Sequence, residues 1–385
     1  MSKERLSTER YDRQERLPGW NQSALSSACV LVAGAGGLSN EVIKNLALMG
    51  IGRILVVDFD TIDASNLSRT VLFSDADIGL AKARVAVEAA ARLNPAVRLR
   101  YIEGDLLYDV GLGFYRHSRL VVGGLDSLVA RSSVGANCAL AGIPFFDGGM
   151  WELGGEARVF YAGEGACFDC SLSDDDRLRA FERRSCTMFR RGGAADGRVM
   201  AATVSTASII GGLLTHAAIN FLCGGQTDGG EAVVYSAQRM TMHRTTLPRT
   251  PDCPSHRPCL DVTELEQWTN RRRAADLVRV ASSELGGAAI LELGRDFLLG
   301  FSCQECGRSE EVNAPVGKVN ESAVACPSCG APRGARVISR LDGSEPYADR
   351  ALADLGVPPG EVLTARVGDR LRFYELTGDV RAFWA

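Results

Sequence analysis

The sequence predicts an α/β fold built on a doubly wound, mostly parallel sheet, followed by a zinc ribbon and a small β-rich C-terminal module. Three observations carry that expectation. A βαβ unit with a glycine turn lies between Ala28 and Asp60, strands and helices alternate behind it, and paired cysteines stand at Cys-x-x-Cys spacing near the C-terminus.

The βαβ unit opens on the apolar run Ala28-Cys29-Val-Leu-Val-Ala and turns at Gly34-Ala-Gly36-Gly37-Leu-Ser39. A helical run follows to Met49, then a second buried strand, Ile54 to Asp60. A nucleotide phosphate approaching the N-terminus of that helix needs the glycines, because a Cβ would block it. Asp58 ends the second strand where it can accept hydrogen bonds from a ribose, with Asp60 just beyond. The turn departs from G-x-G-x-x-G, since Ser39 holds the last glycine's place. A plain packing turn is the alternative reading.

At 385 residues the chain has room for two or three domains. A net charge of -4 and a pI near 5.8 give no electrostatic case for nucleic acid or an anionic membrane. The N-terminus is polar, without the apolar core of a signal peptide, so a cytoplasmic protein is expected. Val199 to Cys223 lacks Asp, Glu, Lys and Arg and is long enough for a membrane span. It also carries Thr203, Ser205, Thr206, Ser208, Thr215, His216 and Asn220, which favours a buried helix of a globular domain.

Residues 1–27 read as a charged leading helix. Beyond Asp60, a polar loop holding Asn66 and Arg69 leads to Ile78-Gly79-Leu-Ala-Lys82, and a helix runs to about Leu93, stopping at Asn94-Pro95. Val97 to Glu103 and Leu120 to Gly124 read as strands. The latter leads to Asp126, at a carboxyl end where doubly wound sheets place their ligands. A helix through Arg131 and Cys138 precedes the strand Pro144 to Asp147. After Leu260 the composition shifts: Asp261 to Glu284 reads helical, Arg271-Arg272-Arg273 as a solvated face, and Ala289 to Phe301 as a strand. These shifts divide the chain into 1–260, 261–335 (helical linker and ribbon) and 336–385 (β-rich module).

Twelve cysteines without a secretion signal argue for metal and thiol chemistry rather than disulfides. Cys303-x-x-Cys306 and Cys326-x-x-Cys329 form a zinc ribbon, and Cys167-x-x-Cys170 is a third ligand pair. The acidic residues Glu305, Glu310, Glu311 and Glu321 flank the ribbon, pointing to a structural or protein-facing role. Cys29, Cys138 and Cys223 lie in apolar runs as inert core residues. Cys186, Cys253 and Cys259 remain.

Taken together, Arg10-Tyr11-x-Arg13-Gln14, Gly34-x-Gly36-Gly37-Leu38, Asp58-x-Asp60, Ser65-Asn66-Leu67-x-Arg69, Gly79-x-x-Lys82 and Asp126 resemble the ThiF/MoeB/HesA superfamily, which includes ubiquitin-activating enzymes. The likeness covers residues 10 to about 260. It implies a Rossmann-like adenylation domain that uses Mg-ATP to convert the C-terminal glycine carboxylate of a ubiquitin-like protein into an acyl-adenylate. Asp58 would then hold the ribose. Asn66, Arg69 and Lys82 would surround the triphosphate, and Asp126 would sit near Mg2+. Arg13 would act as an arginine finger on the partner subunit's nucleotide, which makes a homodimer. Three departures bear on fine geometry: Ser39 for glycine, Thr70 where Gln is common, and Ser127 where Asn is common.

The resemblance also implies that a second ligand pair closes the Cys167/Cys170 site. Cys253 with His256 gives three cysteines and a histidine, and Cys259 is the rival fourth ligand. Either set leaves no open position, so two structural Zn2+ sites are expected. Cys186 lies among Arg183, Arg184, Arg190 and Arg191, cations that favour thiolate. Cys186-Thr187 is similar to the active-site dipeptide of several ubiquitin-activating enzymes, which implies a thioester on Cys186 and transfer to a conjugating enzyme. Two alternatives stand beside this. One is adenylation of a sulfur carrier or peptide with no thioester step, and the other is a non-catalytic scaffold.

Overall fold

The computed structural model describes residues 9–163, 165–185, 189, 203–256 and 261–385, without the side chains of 181–185. These fall into two compact units. One is drawn from within Met1–Leu106, Tyr115–Leu172 and Arg198–Pro258, the other from within Leu107–Phe114, Ser173–Gly197 and Cys259–Ala385.

The first unit holds an eight-stranded sheet, formed by β1 (Cys29–Ala33), β2 (Arg53–Asp58), β3 (Arg98–Glu103), β4 (Leu120–Gly123), β5 (Phe145–Trp151), β6 (Gly154–Phe160), β7 (Glu231–Ser236) and β8 (Thr241–Thr246). The spatial order is β3-β2-β1-β4-β5-β6-β7-β8. Strands β3 to β5 of that order pair in parallel, and β6, β7 and β8 extend them antiparallel. The chain therefore folds as the doubly wound α/β domain the alternating pattern predicts.

Val30 and Val32 of β1 share a core with the helices Gly37–Met49, Lys82–Leu93 and Val204–Leu222, while the intervening Leu31 is equally buried. Both faces of β1 are thus covered, which is why it reads as an unbroken apolar run. The register sets Ala33 opposite Val57 and Gly123, and Gly123 opposite Asp147. The glycine turn, Asp58, the Asp126 loop and Asp147 accordingly gather along one edge of the sheet.

The helix Val204–Leu222 is long and apolar enough to cross a membrane. In the structure Ile210, Leu214, Ala218 and Ile219 lie in the core of the sheet, and Ser208 donates to Glu41 at 2.9 Å. Gly211 admits the close approach, since a Cβ there would come within 2.7 Å of Cβ of Glu41.

The second unit carries β9 (Val262–Glu264), β10 (Ile290–Ser302), β11 (Ser309–Pro315), β12 (Gly334–Leu341), β13 (Val362–Val367) and β14 (Arg370–Glu375) in one sheet, with the helix Ala274–Leu285 in the same core. Three expectations change here. The helical reading of 261–284 holds only from Ala274, because Val262–Glu264 pairs in parallel with β14. The segment 336–385 is not separate from the ribbon: β12 pairs along β10, and β13 joins β10 through Ile290–Glu292. Among the described residues of 1–27 the leading helix is interrupted: the short helices Asp12–Glu15 and Gln22–Ser27 are parted by Pro18-Gly19, with Gly19 at φ +79.

Candidate functional site

Each glycine of the turn answers a different need. Gly34 has φ +89, a left-handed conformation that orients its N–H to the Val57 carbonyl at 2.8 Å. Gly36 is the N-cap of the helix Gly37–Met49, and a Cβ on it would meet nothing within 4 Å. A Cβ on Gly37 would lie 3.0 Å from the Arg69 carbonyl oxygen and 3.2 Å from its Cγ. Gly36 therefore faces the open space a phosphate would enter, whereas Gly37 lets the Arg69 segment pack against the helix.

Asp58 closes the turn from below. Its Oδ2 accepts from the Ala35 N–H at 2.6 Å and its Oδ1 from the Asp60 N–H at 2.8 Å. Burial pushes the Asp58 carboxyl up, against the pull of those two N–H groups and of Lys82. Lys82 Nζ pairs with Asp60 Oδ2 at 2.7 Å, with the lysine largely covered and the aspartate about half exposed. Local pairing makes that meeting: Ile62 N–H bonds the Leu80 carbonyl, Gly79 N–H bonds the Ile62 carbonyl, and Lys82 N–H bonds the Asp60 carbonyl.

Asn66 is buried, and its Oδ1 accepts from the Asp63 N–H at 3.0 Å while Asp63 accepts from Ser65. That capping box holds the loop from which Arg69 projects, half-buried, with Nη1 donating to the Ser65 carbonyl at 2.7 Å. Asn66 thus shapes the loop through its Oδ1.

Asp126 is exposed beyond β4, just before Ser127, which N-caps the helix Leu128–Ala141 by accepting from Ala130 N–H at 3.4 Å. The other departures from the motif are also satisfied locally. Thr70 donates to the Asn66 carbonyl at 2.9 Å, and Ser39, fully buried, lies 3.4 Å from the Ala33 carbonyl.

Sequence reading missed two groups. Asn40, fully buried, donates from Nδ2 to the Ala35 carbonyl at 2.8 Å and accepts at Oδ1 from the Leu72 N–H at 2.9 Å, tying the turn to the segment after Arg69. A polar residue on the apolar stripe of the helix was the signal. Asp147, also fully buried, lies between Arg131 and Arg158, each guanidinium donating to its carboxylate. These residue types are scattered over three elements, and no local pattern joins them.

Arg13 sits on the exposed helix Asp12–Glu15. Tyr11, two residues earlier, packs against Gly50 at the far end of the helix Gly37–Met49 and bonds Asn94 through its hydroxyl at 2.8 Å. That helix of 13 residues is about 20 Å long, so Arg13 stands well away from its own chain's Gly36. Cys186 and its neighbours Arg183, Arg184, Arg190 and Arg191 lie outside the described residues or side chains, as does Cys259.

Two cysteine clusters have the chemistry of zinc sites. In the first, Cys167 Sγ lies 3.7 Å from Cys170 Sγ and 3.6 Å from Cys253 Sγ, and His256 Nε2 lies 3.2 Å from Cys170 Sγ. In the second, Cys303 and Cys329 stand 3.6 Å apart, as do Cys306 and Cys326. An ion bound tetrahedrally at about 2.3 Å sets sulfurs about 3.8 Å apart, so both donor sets fit zinc. Contact with Cys167 is the first of the influences bringing the Cys170 thiol down to about 4, and that same contact pushes Cys167 up. In the ribbon the Ser328 N–H leads those bringing Cys326 down to about 6, while Cys329 is pushed up to about 12. Thiolate is the ligating form.

The ribbon is two matching knuckles. Gly307 N–H bonds the Cys303 carbonyl and Gly330 N–H the Cys326 carbonyl, at 3.0 and 2.8 Å. Both glycines have positive φ, +73 and +77.

Residues 11–255 match the model of the ThiF family. The chain belongs to the ThiF family. Among relatives, molybdopterin-synthase adenylyltransferase of Salmonella typhimurium is 33% identical over 249 residues, spanning 63% of this chain and 94% of that protein. Sulfur carrier protein adenylyltransferase of Thermus thermophilus is 32% identical over 255 residues, covering 64% and 89%. The NEDD8-activating enzyme E1 catalytic subunit of Caenorhabditis elegans is 39% identical over 165 residues, covering 40% and 38%. MccB of E. coli, solved with MccA, superposes with a TM-score of 0.52 at 22% identity over 65% of this chain and 74% of that one. At that identity the likeness concerns the fold. The ThiF match ends before the ribbon and the β-rich sheet, which occupy residues 261–385 of this family member.

Proposed function

We propose that this ThiF-family chain uses ATP to adenylate the C-terminal glycine carboxylate of a small sulfur-carrier or ubiquitin-like protein. The observation that carries the reading is the open approach at Gly36, set at the carboxyl edge of the sheet with Asp58, Asp60, Arg69, Lys82 and Asp126 on the segments around it. Relatives named as adenylyltransferases that align over nearly their whole length support it.

In the proposed reaction a carboxylate oxygen of the carrier attacks the α-phosphorus. The bond to the oxygen bridging α- and β-phosphates breaks, and pyrophosphate leaves with the electron pair. Arg69 and Lys82 supply fixed positive charge where negative charge develops, and Asp60 holds the Lys82 ammonium in place. Asp58 binds the ribose while its grip on the Ala35 N–H keeps the turn formed. Asp126 offers a hard oxygen donor, the type Mg2+ prefers beside phosphates, and magnesium would there offset triphosphate charge. Arg13, remote from its own glycine turn, serves the nucleotide of a second subunit in a homodimer. The two zinc ions are structural.

ATP–pyrophosphate exchange tests the reading, with candidate carriers ending in glycine and a Lys82→Ala variant beside the wild type. Carrier-dependent exchange that the variant loses by a hundredfold or more, about 3 kcal/mol of transition-state stabilisation, supports it. Exchange independent of Lys82 refutes this assignment of the site.

The likeness to the NEDD8-activating subunit favours a second reading, in which Cys186 displaces AMP to form a thioester and passes the carrier to a conjugating enzyme. An adduct on a non-reducing gel that thiol reductant removes and Cys186→Ala abolishes would establish that step. Exchange without any adduct leaves adenylation as the whole reaction.

A further inference from the structure

The first cysteine cluster is joined to the nucleotide edge by bonds a purely stabilising zinc site does not need. The helix Leu128–Ala141 begins one residue after Asp126, at its N-cap Ser127, and presents three attachments within its first eight residues. Arg131 grips Asp147 through Nε and Nη2, both at 2.8 Å, and donates to the Gly148 carbonyl at 2.9 Å. Ser132, fully buried, donates to Asp169 Oδ1 at 2.7 Å. Gly135 lies so close to Phe168 that a Cβ would come within 2.5 Å of its Cβ.

Phe168 and Asp169 are the two residues between Cys167 and Cys170. The other oxygen of Asp169 accepts from Ser255 at 2.6 Å, and Ser255 stands between Cys253 and His256. Asp169 is 1% exposed, and the Phe168 ring lies under both guanidiniums, 5.9 Å from Arg131 and 5.5 Å from Arg158. One carboxylate thus connects both halves of the ligand set to the helix that carries Asp126 at its head.

We propose that Asp169 and Ser132 are positioning residues for the adenylation site: through the helix Leu128–Ala141 they hold Asp126 at the place where it meets the magnesium of Mg-ATP. The proposal rests on the adenylation reading above. Its physical basis is that a helix moves as a rigid body, so loosening its second turn displaces the residue before its N-cap. Groups bonded directly to a metal ligand change metal affinity by about 10- to 100-fold. Ser132 and Asp169 act at one remove, through the helix, so the lower end of that range is expected. A shift of about 1 Å at a reacting site costs about a hundredfold.

Ser132→Ala, Ser132→Thr and Asp169→Asn are compared with wild type in the full-length protein. Affinity for ATP is measured by calorimetry with excess Mg2+ and again in magnesium-free buffer without chelator, alongside bound zinc and thermal melting. Ser132→Ala removes one hydroxyl from a helix interior, where alanine is the best helix former, so its fold is preserved. The expected result is zinc content equal to wild type and magnesium-free ATP affinity unchanged. Mg-ATP affinity falls about tenfold in Ser132→Ala and Asp169→Asn and is restored in Ser132→Thr, whose hydroxyl can make the same bond. Equal Mg-ATP affinity in wild type and both weakened variants overturns the coupling and leaves the adenylation reading standing. A parallel loss with and without magnesium also overturns it, because a general loosening rather than Asp126 would then be at fault. A wild type that does not bind Mg-ATP at all overturns both.

Discussion

Replacing Asn40 by alanine tests how the glycine turn is held. The side chain is fully buried and joins two stretches of backbone 37 residues apart in sequence, bonding the Ala35 carbonyl and the Leu72 N–H, with a longer bond to the Gly36 carbonyl at 3.3 Å. Alanine removes the side-chain partner of the Ala35 carbonyl and of the Leu72 N–H in a buried place, while the Gly36 carbonyl keeps the residue-40 N–H. An unsatisfied buried backbone group costs about 1–3 kcal/mol, so the Leu72 amide opens about 5- to 150-fold more often. Hydrogen exchange followed by mass spectrometry over peptides covering 34–49 and 70–76 reads this directly. The amides of β1, buried in the sheet, serve as the internal reference. The expected pattern is faster exchange at the turn and at Leu72 with β1 unchanged, together with weaker ATP binding because the phosphate approach is no longer fixed. Unchanged protection at Leu72 refutes the bridge. Acceleration of Leu72 in step with β1 refutes its local character, since the effect would then be one of global stability.

Further outcomes follow from the same geometry. Gly36→Ala should melt like the wild type, because its φ of -72 suits alanine and no atom lies within 4 Å of the new Cβ, yet it should lose ATP affinity by tenfold or more, measured by calorimetry. Burial raises the Asp58 carboxyl, so its folded value lies above its unfolded one, and stability from this group is greatest below the unfolded value and lost as pH rises through the folded one. Wild type should therefore gain stability relative to Asp58→Ala as pH falls through that window, while ATP affinity falls over the same range; an opposite slope in paired melting curves would count against burial as the cause. Asp147→Ala leaves Arg131 and Arg158 without their shared anion and should cost about 3–5 kcal/mol, seen as an earlier melting transition of the first unit. Cys326→Ser should lower bound zinc from about two equivalents to about one, with ATP binding kept, as read by metal analysis and calorimetry.

Much of the site was legible because its elements are local. The turn at Gly34–Gly37, the strand-end Asp58 and the Lys82 helix start are fixed by residues within a few positions of one another, and so are the ribbon knuckles at Cys303–Gly307 and Cys326–Gly330. The fold class followed from strands apolar on both faces alternating with helices, since only a sheet covered on both sides buries such runs.

Other features were decided by parts of the chain that sequence spacing does not relate. Gly37 serves Arg69 rather than a phosphate because the two segments meet in space. Val262–Glu264 is a strand only because β14 lies beside it, and 336–385 has no sheet of its own because β10 is long enough to pair with both β12 and β13. Asp169 reads in the sequence as a spacer between two cysteines, and only the fold brings Ser132 and Ser255 to its two oxygens. The sequence by itself determined the local backbone geometry and the chemistry each segment carries, because these depend on neighbouring residues. The tertiary structure alone decided which buried polar groups face one another, since burial demands a partner but does not say from where in the chain it comes.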